Sequence, residues 1–142
     1  MDAEKLKGFA PVAALLALEN DLDRFDYLAD LALDTPALTR ERCTEEARVA
    51  SCDSKLWILL EKQKKRVALQ SQSDSLFVKG LADLIALVVR EIPLETLCGE
   101  RLGLARLLYE AEIIDANRLR GMEETEERIR KFADEGQNPQ SF

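Results

Sequence analysis

The chain has 142 residues, 46% of them hydrophobic, with a formal net charge of −7, no histidine and three cysteines. That length and apolar content fit one packed domain, while the acidic balance disfavours a general nucleic-acid or anionic-membrane binder. Without histidine there is no Ser-His or Cys-His catalytic pair and no His-containing zinc site, and three cysteines lacking C-x-x-C spacing do not make a metal site of their own.

The start, Met1-Asp2-Ala3-Glu4, is acidic where a secretory leader needs a basic flank, and the apolar stretch Val12 to Leu18 is too short to span a bilayer. An odd number of cysteines is no disulfide framework, so the chain is expected to be cytoplasmic. Leu22, Phe25, Leu28, Ala29 and Ala32 recur at helical spacing after Asn20-Asp21, either of which can cap the start. Thr35-Pro36 closes that helix. The stretch from Ala37 to Ala47 is polar and reads as irregular or as a short helical turn.

Next come β-formers. Lys55 to Leu60 and Val67 to Ser71 predict a hairpin whose turn lies in the charged run Glu61 to Arg66, with Arg48-Val49-Ala50 as a short preceding strand. Ser73 or Asp74 is expected to cap a core helix running from Leu76 to Val89. Pro93 opens a short helix from Leu94 to Cys98, another helix spans about Arg101 to Ile113, and the last starts near Asn117 with Leu119, Met122, Ile129, Phe132 and Ala133 on one face. A frayed tail is expected over 135–142. The sum is an α+β fold: a short antiparallel sheet of about three strands packed against several helices in a single domain over 1–142.

Candidate chemistry centres on Cys52, at the polar break between two β-like pieces. A free cysteine is often a small buried filler, but Ser51, Asp53 and Ser54 make polar flanks that favour an accessible thiol at a loop tip. Arg48 and Lys55 are its nearest cations in sequence. Asp74 suits a helix cap better than a catalytic acid. Cys43 is either a resolving thiol or a tolerated one, Cys98 is expected in the core, and Trp57 should pack there too. Lys62, Lys64, Lys65 and Arg66 form a basic cluster, more simply a solvated turn than a partner contact.

Thr44-Glu45-Glu46-Ala47-Arg48-Val49, then Cys52, Ser54 and Trp57, resembles the SufE pattern R-T-E-E-N-R-V-x-G-C-Q-S-x-V-W. Ser73-Asp74-Ser75 with Val78-Lys79-Gly80-Leu81 resembles the family's D-S-D-A-x-I-V-x-G-L, and Ile92-Pro93-Leu94-Glu95 its T-P-x-E turn. Asn117-x-Leu119-Arg120-Gly121-Met122, followed by Ile129-Arg130, resembles N-G-L-x-A-M…I-R. The pieces keep their order from about residue 20 to 133. The chain departs from the pattern at Ser51 (family Gly), Asp53 (family Gln) and Asp115, where an arginine is expected.

The resemblance implies a SufE/NifU-like fold and a sulfur acceptor for a pyridoxal-phosphate cysteine desulfurase of the SufS/CsdA type. Cys52 would take the outer sulfur of the partner's persulfide and deliver it to an iron–sulfur scaffold. Arg48, Ser51, Asp53, Ser54 and Asp74 would form the loop and its partner-binding surroundings. The chain itself would hold no cofactor and no metal, since the pyridoxal phosphate belongs to the desulfurase. It would be at most a sulfurtransferase acting with that enzyme; the alternative within the family is a docking module that regulates the desulfurase with little or no transfer. Thiol exchange needs a thiolate and access rather than a built-in base, so the lack of histidine is no obstacle.

Overall fold

In the computed structural model, which describes residues 1–137, the chain runs through α1 (Ala3–Lys7), α2 (Ala10–Leu16), α3 (Asp21–Asp34) and a 3-10 turn (Arg40–Arg42). The hairpin β1 (Leu56–Gln63) and β2 (Arg66–Ser73) follows, then α4 (Leu76–Val89), α5 (Leu94–Leu97), α6 (Leu104–Glu110) and α7 (Ala116–Gln137). The class is α+β, as the sequence predicts.

α4 is the central element, because it is apolar almost all round: Val78, Leu81, Ala82, Leu84, Ile85, Val88 and Val89 are all buried. Its N-cap is Ser75, whose hydroxyl accepts from Val78 N at 3.2 Å. The expected caps are occupied elsewhere. Ser73 Oγ accepts from Ser75 N at 3.1 Å, and Asp74 Oδ1 accepts from Lys55 N at 3.0 Å.

One side of α4 meets α3, capped by Asn20 as expected. Gly80 allows the close approach, since a Cβ there would lie 2.2 Å from the Leu28 carbonyl oxygen. Leu28, Ala29 and Ala32 are buried in that contact, whereas Leu22 and Phe25 are 69% and 43% exposed. Helical spacing marks one stripe, but only its C-terminal half is buried against α4; in the N-terminal half Phe25 stacks on Phe77 with one side left open, and Leu22 faces outward. Beneath the end of α3, Lys79 and Asp83 form a buried ion pair at 2.8 Å. Lys79 Nζ also donates to Ala32 O at 3.1 Å, and Asp83 accepts from Ser71 Oγ and Thr35 Oγ1 at 3.1 and 2.7 Å. That network fastens α3, α4 and β2 to one another.

The sheet has two strands, paired antiparallel from Leu56 opposite Ser73 to Gln63 opposite Arg66. The expected third strand at Arg48-Val49-Ala50 reduces to an isolated bridge between Arg48 and Trp57, held by Val49 N to Leu56 O at 2.8 Å and Ile58 N to Ala47 O at 2.9 Å. Pairing stops there because the next amides, Ala50 and Ser51, bond to a side chain of α7 instead. The charged run is mostly strand, and only Lys64-Lys65 form the turn. Lys64 takes a φ of 60°, the left-handed geometry that glycine or asparagine supplies more cheaply, which is why the turn carries no composition signal.

α1 and α2 do not stand out in the sequence, being too short to show a helical period; they place Leu6, Val12 and Leu15 in the core. α6 is shorter than the 101–113 span expected of it. It starts after Gly103, whose φ of 86° turns the chain, and the buried Glu126 carboxylate of α7 accepts from Ala105 N at 3.0 Å. α7 is the predicted last helix. Asp115 caps it, accepting from Arg118 N at 3.0 Å, and Glu135 to Gln137 remain helical, so of the expected frayed tail only 138–142 lies outside the described residues.

Candidate functional site

Between the bridge and β1 the chain makes a tight turn, with Cys52 N bonded to Val49 O at 3.3 Å. Ser51 and Asp53 face solvent, as polar flanks should, but Cys52 between them points the other way and is only 7% exposed. A loop whose successive residues alternate in direction can bury a thiol between two solvated neighbours. The expectation of an accessible thiol at a loop tip is therefore met for the loop, which turns between the Arg48–Trp57 bridge and β1, and wrong for the thiol, which is buried.

What receives the thiol is α7. At Gly121 an added Cβ would stand 2.9 Å from Cys52 Cβ and 3.2 Å from Sγ, so the loop seats against bare helix backbone. The loop is also tied down. Glu124, one turn further along α7, accepts from Ser51 N at 2.8 Å and Ala50 N at 3.3 Å. Arg128 braces Glu124 at 2.6 Å and donates to the carbonyls of Glu46, Ala47 and Arg48. This latch was missed in the sequence; its one trace there is the i,i+4 spacing of Glu124 and Arg128, common on any solvated helix.

Beside Cys52 is a small cavity of about 10 Å³ with an apolar surface, room for roughly one water-sized probe, walled by Leu56, Val78, Leu81, Ala82, Ile85, Arg118, Gly121, Met122 and Thr125. Burial pushes the Cys52 thiol above its usual range and Asp53 adds to that, while a Ser54 backbone hydrogen bond, Arg48 and Arg118 pull it down. Arg48 lies over the Trp57 ring at 5.6 Å. Arg118, not singled out in the sequence, stacks on Phe77 at 4.7 Å and pairs with Asp115 at 3.1 Å. Glu124 also feels burial, but the Ser51 hydrogen bonds and Arg128 outweigh it and hold its carboxyl below the ordinary value.

The remaining predicted residues divide. Ser54 is half-buried in the loop, and Asp74 serves the Lys55 amide at the base of the loop. Cys43 is part-buried with Sγ on Thr39 O at 3.5 Å, and Cys98, expected in the core, is also only part-buried, with Sγ on Glu95 O at 3.1 Å. All three thiols are free. Among the described residues no cluster of three or more His, Cys, Asp or Glu is placed to hold a metal ion, and no helix is long and apolar enough to cross a membrane.

A sequence model of the SufE family, the Fe-S metabolism associated domain, matches residues 10–133. The chain belongs to the SufE family. Its place is thus in iron–sulfur metabolism. Its fold is similar to the solution structure of a hypothetical protein from Thermus thermophilus, with a TM-score of 0.69 and 20% identity over 88% of this chain and 91% of that one.

Set on this geometry, the departures from the SufE pattern become legible. Ser51 in place of glycine is harmless to the backbone, since among the described non-glycine residues only Lys64 and Glu112 have positive φ. Aligned on Asn117 and Leu119, the family's glycine and alanine fall at Arg118 and Gly121. The small residue therefore sits under Cys52. The cation absent at Asp115 stands three positions later on the same helical face.

Proposed function

We propose that this protein accepts the outer sulfur of a desulfurase persulfide on Cys52 and hands it on for iron–sulfur cluster assembly. The observation that carries the reading is the seat of Cys52. The cysteine in register with the SufE pattern stands on a latched loop, over an apolar cavity, with the charges of Arg48 and Arg118 near enough to favour its thiolate.

The chemistry is an exchange at sulfur. The Cys52 thiolate attacks the outer sulfur of the partner's persulfide, a new S–S bond forms to Cys52, and the partner's own S–S bond breaks with its cysteine leaving as thiolate. The proton on the outer sulfur travels with it, and no net oxidant is needed. Closed, the loop disfavours the thiolate and keeps water and stray thiols from a bound persulfide. Transfer therefore requires the thiol to be uncovered, and the two cations then favour its charged form.

After incubation with a SufS/CsdA-type desulfurase, pyridoxal phosphate and cysteine, intact mass should show one added sulfur, located on Cys52 and removed by dithiothreitol. Cys52→Ser should abolish the gain, while Cys43→Ser and Cys98→Ser should keep it. Sulfur found on Cys43 instead would reassign the site.

The burial of Cys52 and the Asp53 carboxylate beside it favour a second reading, a module that docks on the desulfurase and regulates it with Cys52 inert. A change in desulfurase turnover that persists in Cys52→Ser, with no sulfur gained by the wild type, would select it.

A further inference from the structure

We propose that the free edge of β2, with the groove beside it, takes an extended acidic segment of a partner protein as a third strand of the sheet. The proposal stands on this surface alone and does not depend on what Cys52 does.

The hairpin register fixes which backbone groups are spare. Gln63 and Arg66 face each other across the Lys64-Lys65 turn, so the even-numbered residues of β2 turn N–H and C=O toward β1 and the odd-numbered ones turn them outward. Leu38 N, donating to Ser71 O at 3.2 Å from the outer side, agrees with that parity. Val67 and Leu69 therefore present N–H and C=O at the outer edge, and among the described residues no other group bonds to them there. The chain covers this edge only at its ends. Beyond Leu38 it leaves through the 3-10 turn at Arg40–Arg42, and at the other end Leu94 N donates to Lys65 O at 3.0 Å. An open strand edge is a template for another strand, which is why unused edges are covered or carry a charge along their length. Here the residues between the two ends are Val67 and Leu69, with side chains buried beneath the sheet, and the small Ala68.

A groove of about 520 Å³ runs along this edge, with the half-buried Ala86 and Leu87 of α4 on its other side. Its rim is cationic. Lys64, Arg66 and Arg90 are exposed on it; Lys64 and Arg66 have no ion pair among the described residues, and Arg90 has only its exposed neighbour Glu91 at 3.5 Å. The other acid of the groove, Asp83, is already paired with Lys79. In a chain of net charge −7 this is a local excess of positive charge set beside spare donors and acceptors. The occupant that matches both is an extended segment with apolar and acidic side chains alternating at the period of a strand. A second copy matches less well, because its own β2 edge carries the same cations. The groove shares no lining residue with the Cys52 cavity, so a partner seated on β2 leaves the Cys52 loop free for a different protein.

The test uses the full chain and a fluorescein-labelled peptide of alternating valine and glutamate, read by anisotropy and by amide hydrogen exchange. The probe should bind at least about tenfold more tightly than its valine–lysine counterpart. It should slow exchange at the Val67 and Leu69 amides and leave Ala68, whose amide faces β1, as it was. N-methylating the probe's backbone keeps every charge and removes its donors, and should weaken binding by about tenfold or more. Lys64→Gln with Arg66→Gln, two exposed positions, should weaken it by about threefold to tenfold with the exchange of α4 amides unchanged. No binding of the probe, or equal binding of the lysine peptide, would overturn the acidic partner. Undiminished binding of the N-methylated probe, or unslowed Val67 and Leu69 amides, would overturn the strand pairing. If the protein alone sediments as a dimer in which those two amides are protected, the occupant is a second copy and the proposal is wrong.

Discussion

Two ion pairs of the same i,i+4 design hold this molecule together, and they do opposite jobs. On α4, Lys79 and Asp83 have side chains only 5% and 4% exposed and share bonds with Ala32, Thr35 and Ser71 from two other elements. On α7, Arg128 and Glu124 are 29% and 23% exposed and bond mainly to the backbone of the Cys52 loop. Sequence spacing does not separate them. Depth does: a buried pair cannot be opened without stranding a charge away from water, whereas a pair about one-quarter exposed can exchange its partners for water at smaller cost. The first is a fastening and the second a latch. If Cys52 accepts sulfur as proposed, the protein must uncover one thiol without unfolding, and that calls for both.

The comparison breaks first at Lys79. Lys79→Ala leaves Asp83 buried without its cation and should cost about 3–5 kcal/mol in urea unfolding. Replacing the pair with apolar side chains of similar volume, Lys79→Met with Asp83→Leu, should return most of that. A single mutant within about 1 kcal/mol of wild type would show that the α4 pair is no anchor.

The latch predicts the reverse pattern. Glu124→Gln should change global stability by less than about 1 kcal/mol, yet speed hydrogen exchange at Ala50 and Ser51 and iodoacetamide labelling at Cys52. Acid should do the same in the wild type. Because the Glu124 carboxyl titrates below its ordinary value of 4.5 in the folded protein, its bonds contribute fully above that value and are lost as pH falls through the lowered one. Ser51 amide protection, corrected for intrinsic exchange, should therefore fall in that range in wild type and stay flat in Glu124→Gln. Loss of the protection of α4 amides over the same range would mean that the two regions are not independent.

The smallest effect concerns charge alone. Asp53 is exposed and raises the Cys52 pKa, so Asp53→Gln, the residue of the SufE pattern, should lower it by less than about one unit. The iodoacetamide profile should move to lower pH with its plateau unchanged. A profile that does not move would remove Asp53 from the account of the thiol's reactivity.

The sequence by itself determined much of this. The apolar run 76–89 had to be a central helix, Pro36 and Pro93 had to bound their helices, and the β-formers around the charged run had to pair as a hairpin, because each signal is local and acts through its own backbone. The motif pieces in order around Cys52 pointed to the SufE family for the same reason, since a pattern along a chain is readable without coordinates. Only the tertiary structure decided which way Cys52 faces, that Gly121 makes its seat, and that Glu124 and Arg128 hold its loop from 73 to 82 positions away. It also brought Arg118 near enough to Cys52 for its charge to lower the thiol's pKa. Burial, cavities and long-range hydrogen bonds depend on which surfaces meet, and no window of neighbouring residues contains that information.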